Sequence, residues 1–547
     1  MHVLSAAEMQ ACDRVTSERF EIPSIDLMRA AAAAVVAVAQ EQFPQARRVT
    51  VLCGRGNNGG DGLMVARLLA AAGLDVTTIL LGSPEGLKGD AAQAWRELHT
   101  APLHGAVHVV ETAEDLATIN GALDADLLLD AVVGTGFKPP LRGLALAALE
   151  WTSNAKSSIL AIDLPSGWGA DNTGATAAGP VFSADAVVTF TAPKPAHVFG
   201  HLTRRWDQPV VVAPIGSPAQ AMVSELGLHW AGSAIDLVQA PRGVGANKGS
   251  FGHVLVVGGT FGAAGGKAGA PAMTALAAMR SGAGLVTAAV PFPAMAVVAA
   301  IAPEFMTWGL ISSPAGTISA ENLASETVTA LLAGKTVLAI GPGLGQAPET
   351  AQFLLGLLKA VQIPIVLDAD ALNILAAAPM ELARLAKGRT VVLTPHPGEM
   401  ARLAGLTVAQ VQADRLGVAR GFAQKCGVTL VLKGARTLIA HPDGQVAVNT
   451  TGNPGMAKGG SGDLLTGLIA GLLAQFPQQA EQAVEAAVYL HGLAADLAVG
   501  AGDEHTFLPT DSLQQLSRAF RFRPGGSNRY VWLQGHCVRQ RTHAGIA

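Results

Sequence analysis

The stretch Gly54-Arg55-Gly56-Asn57-Asn58-Gly59-Gly60-Asp61-Gly62 follows an apolar run, Arg48 to Cys53, and precedes a helix-like segment, Leu63 to Ala72. A second apolar run, Val76 to Leu81, comes next, so the order is strand, glycine loop, helix, strand. Backbone N–H groups at a helix start, helped by the helix dipole, make an anion site, and five glycines in nine positions let a ligand approach the main chain. The spacing of Gly54, Gly56 and Gly59 satisfies G-x-G-x-x-G, a weak fingerprint by itself. A nicotinamide-binding unit of that type also needs an acid at the end of the next strand to hold the ribose, whereas Leu81 runs into Gly82-Ser83-Pro84. Ordinary hydride transfer is disfavoured on that ground. The loop offers instead Asn57, Asn58 and Asp61, short polar side chains that can act only close to the backbone.

Working outward, the same alternation continues through Ala125 to Val133, Ser158 to Leu164, Ala186 to Phe190 and Val210 to Ala213, apolar runs of strand length that suit a parallel sheet buried on both faces. A first domain over residues 1–224 is expected, with a Rossmann-like parallel sheet. Pro241, Gly243, Gly245 and Gly249 then mark a connector. New strand-like runs follow at His253 to Val257, Thr336 to Ile340, Ile363 to Leu367, Thr390 to Leu393 and Val428 to Leu432, giving a second α/β domain over 225–520. Residues 521–547 carry Arg521, Arg523, Arg529, Arg539 and Arg541 without periodicity and read as a disordered basic tail.

Composition narrows the function classes. With 547 residues, more than one domain is expected at roughly 150 residues each. Charged residues make up only 14% and hydrophobic ones 50%, which excludes disordered and coiled-coil chains. Ser281 to Pro303 is the longest uncharged stretch, but Pro291 and Pro293 cut it, so it reads as a buried strand, a turn and a short helix, and no membrane partner is expected. The N-terminus, with Glu8 and Asp13, lacks a signal-peptide layout, and a cytoplasmic location is expected. Cys12, Cys53, Cys426 and Cys537 lie far apart with no C-x-x-C pair, against a zinc site or disulfide framework. A net charge of -4 with no basic stripe in the body of the chain argues against nucleic acid. Small-molecule chemistry is the default, and a homo-oligomer is compatible with all of this.

Further polar residues sit at strand ends: Asp130, then Gly134-Thr135-Gly136-Phe137, then Asp163 and Ser166 within Ile162-Asp163-Leu164-Pro165-Ser166-Gly167. Ligands of open α/β sheets bind beyond the carboxyl ends of strands. Oxygen donors gathered there suit a hard cation, although each aspartate singly serves equally well as a cap or turn residue. The strings N-N-G-G-D-G, L-L-D-A-V-V-G-T-G-F and A-I-D-L-P-S-G, in that order, resemble the YjeF N-terminal domain of the NAD(P)H-hydrate epimerases over about residues 1–220. The resemblance implies that Asn57, Asn58, Gly59, Gly60 and Asp61, with Gly134, Thr135, Gly136, Phe137, Lys138, Pro139 and Pro140, contact a hydrated nicotinamide nucleotide. It implies that Asn58, Asp130 and Ser166 ligate K+ and that Asp163 lies against the substrate. Interconverting two epimers at C6 of the hydrated ring needs proton transfer about a C–O bond with transient positive charge, for which the Asp163 carboxylate serves as base and stabiliser.

The second domain contains Gly452-Asn453-Pro454-Gly455-Met456-Ala457-Lys458-Gly459-Gly460-Ser461-Gly462-Asp463 ahead of an apolar helix. Bare N–H groups there can dock a phosphoryl group, and a carboxylate beside them needs a proton to accept, unless Asp463 only favours the helix dipole. Three more loops follow strands: Gly341-Pro342-Gly343-Leu344-Gly345, Thr394-Pro395-His396-Pro397-Gly398-Glu399 and Lys433-Gly434-Ala435-Arg436-Thr437. In this order they resemble the ADP- or ATP-dependent NAD(P)H-hydrate dehydratases of the ribokinase-like superfamily. That resemblance implies a ribokinase-like α/β fold, Asp463 as the base on the C6 hydroxyl, and Lys433, Gly434, Ala435, Arg436, Thr437 and Gly462 at the adenine nucleotide. It also implies Ala270, Gly343 and His396 at the hydrated substrate, Mg2+ on the phosphates, and ADP as co-substrate with ATP as the alternative. Sugar kinases of the superfamily often show N-x-x-E where this chain has His396 to Glu399. Two rivals remain: a small-molecule kinase, which leaves a stable phosphorylated product, and a non-enzymatic YjeF-type scaffold, which has no need of Asn58, Asp130, Asp163 and Ser166 together.

Overall fold

The fold is seen in a computed structural model, which describes residues 1–100, 104–119, 121–263, 265–377, 382–525 and 529–535. Two compact units result: Met1–Leu228 with the chain from Arg523 onward, and His229–Phe522. The first unit runs past 224 because its connector is tied back to its own N-terminus. Val3 N donates to Leu228 O at 3.0 Å, Ser224 Oγ to Val3 O at 2.7 Å, and Glu225 N to Glu8 Oε1 at 2.7 Å.

In the first unit eight strands are ordered Val531–Gln534, Val210–Ala213, Ala186–Phe190, Ser158–Ile162, Leu127–Ala131, Arg48–Cys53, Asp75–Leu81 and Val107–Val110. All pair in parallel except Val531–Gln534, which lies antiparallel to Val210–Ala213. This corrects the reading of 521–547 as a disordered tail: Trp532 and Leu533 are apolar enough to be buried on the sheet, at 3% and 1% exposure. Arg539 and Arg541 lie outside the described residues. Successive residues of each strand serve opposite faces. Val49, Val51, Leu127 and Leu129 meet the helices Ser24–Gln42 and Asn57–Ala71, while Leu52, Leu128 and Ile159 form a second core with Gly143–Thr152.

The glycine loop is shorter than its sequence suggests, because the helix begins at Asn57 and takes Asn58 to Asp61 into its first turns. A Cβ at Gly59 would collide with the carbonyl of Gly54, so only glycine lets the helix start lie this close to the strand end.

Among the described residues the main sheet of the second unit has ten strands, ordered Met306–Leu310, Leu285–Pro291, His253–Val257, Val337–Ile340, Ile365–Leu367, Val391–Leu393, Thr429–Leu432, Leu438–Ala440, Val446–Val448 and Leu228–Trp230. The first seven pair in parallel and the 438–448 segment forms an antiparallel hairpin on them. Ser281 to Pro303 contains a buried strand and the short helix Met295–Ala299. Among the described residues one helix, Pro477–Gly500, is long and apolar enough to cross a membrane, and 83% of its most apolar stretch is buried inside the fold, where a core helix of this composition belongs. The helix Ser461–Gln475 packs on Gly269–Arg280 at Gly467 and Gly471, where any side chain would meet the carbonyls of Thr274 and Ala278.

Candidate active sites

At the carboxyl end of the first sheet a cleft of about 1100 Å³ is walled by Asn57, Asn58, Asp61, Gly134, Thr135, Gly136, Phe137 and Asp163, among others. Gly59 and Gly60 stay in the packing behind it, against Gly54 and Met28, and Lys138, Pro139 and Pro140 do not line it.

Asp163 follows the strand Ser158–Ile162 with φ at +65°, a strained conformation that an aspartate keeps only where its surroundings impose it. Its Oδ2 accepts from Thr135 N at 3.1 Å and Thr135 Oγ1 at 2.6 Å, and its Oδ1 from Thr189 Oγ1 at 2.9 Å and Lys194 Nζ at 2.9 Å. Burial alone would raise its pKa, but the adjacent Lys194 ammonium holds the carboxyl well below the usual range. His197 Nε2 donates to Asp163 O at 2.7 Å and its Nδ1 accepts from Lys194 N at 3.0 Å; burial pushes its pKa down to about 4, so the ring is neutral. Asp61 is the opposite case: burial first, then the charges of Asp163, Asp13 and Asp90, push it well above the usual range. Thr189, Lys194 and His197 escaped the sequence reading. Their signal was Thr189-Phe190 closing a strand with Lys194 shortly after, a lysine that by type belongs on the surface and here is 1% exposed.

Asn58, Asp130 and Ser166 come together beneath this wall. Asn58 Nδ2 donates to Val133 O at 3.0 Å, which leaves its buried Oδ1 without a partner. Asp130 is wholly buried and accepts from Ser166 N at 2.7 Å and Ser166 Oγ at 2.6 Å, yet burial still pushes its pKa up to about 6. Among the described residues no three His, Cys, Asp or Glu side chains are placed to hold a metal. An orphaned amide oxygen, an uncompensated carboxylate, a hydroxyl and a carbonyl fit a monovalent hard cation rather than a transition metal.

In the second unit Asp463 lies in the first turn of Ser461–Gln475, whose N-cap is Gly460 with φ at +101°. Burial first, then Asp368 and Asp370, push its pKa up to about 7. Thr274 Oγ1 bonds the carbonyls of both Ala270 and Asp463, at 3.0 and 3.1 Å, which fixes the helix Gly269–Arg280 beside the loop. Gly343 packs against Ala270, so these two predicted positions do meet. His396 caps the helix Pro397–Ala404: its Nδ1 accepts from Gly398 N at 3.0 Å, and Glu399 Oε2 accepts from His396 N at 2.8 Å. Glu399 is therefore engaged within the fold.

Lys433 is held at Asp368 Oδ1, 2.8 Å away, a residue sequence reasoning missed although it ends the strand Ile365–Leu367. Arg436 Nη1 donates to Thr450 O at 3.1 Å, and Thr437 Oγ1 closes its own turn on Gly434 O at 2.8 Å. Arg415, also missed, grips the carbonyls of Leu432 and Ala435 from the helix Arg415–Cys426.

Comparisons with known proteins follow this division. Residues 24–196 match a family described as YjeF-related protein N-terminus, and residues 254–518 one described as NAD(P)H-hydrate dehydratase. A bifunctional NAD(P)H-hydrate repair enzyme of Moorella thermoacetica is 42% identical over 95% of this chain and 97% of its own length. One of Escherichia coli is 34% identical over 94% and 93%. The solved ADP/ATP-dependent NAD(P)H-hydrate dehydratase of Bacillus subtilis, co-crystallized with ATP/Mg2+, is 32% identical over 52% of this chain and 96% of that one, with a TM-score of 0.44. Similarity of this extent across both units shows that the chain belongs to the bifunctional NAD(P)H-hydrate repair enzymes.

Proposed function

We propose that the first unit interconverts the R and S forms of hydrated NADH and NADPH, and that the second dehydrates the S form at the expense of ADP. The observation that carries the reading is Asp463, a carboxyl with its pKa near 7 set at a glycine-flanked helix start beside Lys433. A base for a hydroxyl works best with a pKa near the working pH.

In the second unit Asp463 takes the C6 hydroxyl proton as that oxygen attacks the β-phosphorus of ADP and AMP departs. Phosphate then leaves C6 with the bonding pair while the ring nitrogen supplies its lone pair, and loss of a proton from C5 restores the C5–C6 double bond. The N–H groups around Gly462 and the Lys433 ammonium face the charge that develops on the phosphoryl oxygens. Mg2+ fits as an ion carried on the nucleotide phosphates with its waters, since the carboxylates of Asp368 and Glu399 are engaged within the fold. ADP or ATP lies towards Lys433, Gly434 and Ala435, and the hydrated ring towards Ala270, Gly343 and His396.

In the first unit the substrate ring lies between Asn57–Asp61 and Gly134–Phe137. Asp163, saturated by four donors, is a weak base and acts by stabilising the ring cation formed as the C6 oxygen takes a proton from solvent and leaves as water; water adding to the opposite face of C6 and returning that proton to solvent completes the inversion. K+ held by Asn58, Asp130, Ser166 and the Val133 carbonyl would balance the Asp130 charge and pin the turn that carries Thr135.

The test is to incubate the full chain with mixed hydrate epimers, Mg2+ and ADP or ATP, and to follow dihydronicotinamide absorbance. Complete conversion of both epimers with release of free phosphate is expected. A stable phosphorylated product would make the second unit a kinase, and arrest after the S form would remove the epimerase.

A further inference from the structure

Asp368 is a carboxylate the proposed reaction does not use directly, yet three elements converge on it. It is 1% exposed. Its Oδ1 accepts from Lys433 Nζ at 2.8 Å and from Thr394 Oγ1 at 2.8 Å, and its Oδ2 accepts from Thr466 Oγ1 at 2.8 Å. Lys433 follows the strand Thr429–Leu432, Thr394 follows Val391–Leu393, and Thr466 lies on the helix Ser461–Gln475, whose first turn holds Asp463. The next residue, Ala369, has φ at +50°, a conformation alanine rarely adopts, so the main chain is bent just where the carboxylate is aimed.

The pair lies directly under the loop. A Cβ built on Gly462 would stand 3.4 Å from Lys433 Nζ and 3.7 Å from Asp368 Oδ2, so glycine leaves the ammonium uncovered towards the space above. Glu399 Oε2, 3.8 Å from Lys433 Nζ, is a second and weaker anchor. A buried ion pair is a poor way to stabilise a fold, because desolvation of both charges offsets their attraction. Thr394 and Thr466 complete the hydrogen bonding of a charge that apolar packing could have replaced.

We propose that Asp368 is a positioning residue: it fixes the Lys433 ammonium beneath the Gly459–Asp463 loop, at the phosphoryl group in transfer, and sets the charge against which Asp463 accepts its proton. This rests on the dehydratase reading of the second unit. The charged groups facing Asp463 are Asp368, Lys433, Asp370 on Asp370–Ala377 and Lys267 ahead of Gly269–Arg280. His491 on Ala480–Gly500 faces Lys433 and is neutral, its pKa pushed down to about 4 by burial. Asp368 therefore acts on Asp463 as a like charge, and its removal favours the ionised base.

The experiment uses the full chain with pure S hydrate, ADP and Mg2+. Asp368→Asn keeps the shape and removes the charge. Its kcat should fall roughly 10–100-fold, as for other residues that orient a reacting group, while KM for ADP changes less than about threefold. The acid limb of its kcat profile should move to lower pH, a shift that a merely structural lesion would not produce. A variant with kcat within about threefold of the parent and an unmoved limb overturns the proposal. So does a KM rise that accounts for the whole loss. Should Asp368→Asn fail to fold, Thr466→Val decides: it loosens one side of Asp368, and an unchanged kcat there is equally fatal. A parent chain that never regenerates dihydronicotinamide fails at the earlier step and refutes the dehydratase reading itself.

Discussion

Lys194 Nζ lies 2.9 Å from Asp163 Oδ1, with both side chains withdrawn from solvent at 2% and 8% exposure. Neither charge can be neutralised by water, so each is the condition for the other. Lys194→Met should leave Asp163 as an uncompensated buried carboxylate and destabilise the first unit by about 3–5 kcal/mol. The folded pKa of Asp163 is depressed, so this stability is present above its unfolded value and is lost as the pH falls through the acid range. Urea unfolding at neutral pH and at pH near 3 checks both statements: the variant and parent midpoints should differ most at neutral pH.

The orphaned Asn58 Oδ1 leads us to predict that the first unit responds to monovalent cations. K+ should raise the thermal midpoint of the first unit over choline in proportion to RT ln(1 + [K+]/Kd), and should speed epimerisation. Asn58→Ala should lose both responses. A midpoint indifferent to K+ in the parent would remove the cation from this site.

Asp463, with its pKa near 7, predicts the pH dependence of dehydration. The ionised form is the base, so kcat should fall as the pH drops through about 7, well above where an ordinary aspartate would titrate. Asp463→Asn should lose about 10²–10⁴-fold and flatten the limb. Stopped-flow or steady-state profiles between pH 5 and 9 in the presence of saturating ADP test this.

Gly467 brings Ser461–Gln475 against the carbonyl of Thr274, and that contact holds Asp463 beside Ala270. Gly467→Val should force the helices apart and cost about 1–3 kcal/mol or more. Calorimetry of the second unit's transition, with hydrate dehydration measured on the same sample, should show both fall together.

Legibility in the sequence followed burial. The central strands are unbroken apolar runs, covered on both faces, and could be read directly. Val107–Val110 and Met306–Leu310, each at the edge of its sheet, were missed because half-covered strands mix polar and apolar residues over too short a span. Val531–Gln534 was hidden by its basic flanks, although Val-Trp-Leu carries the signal. For the sites, motifs at strand ends placed Asn58, Asp130, Asp163, Ser166 and Asp463 close to where the fold holds them. Lys194 and Asp368 were not legible, since each matters only through a partner 31 and 65 residues away.

The antiparallel strand Val531–Gln534 gives the first sheet a dependence on order of synthesis. Its neighbour Val210–Ala213 precedes His229–Phe522 in the chain and Val531–Gln534 follows it, so that edge of the sheet stays unpaired by its last strand until the second unit has been translated. A chain that stops short of Val531 leaves that edge unpaired, so the first sheet is complete only after the second unit has been made.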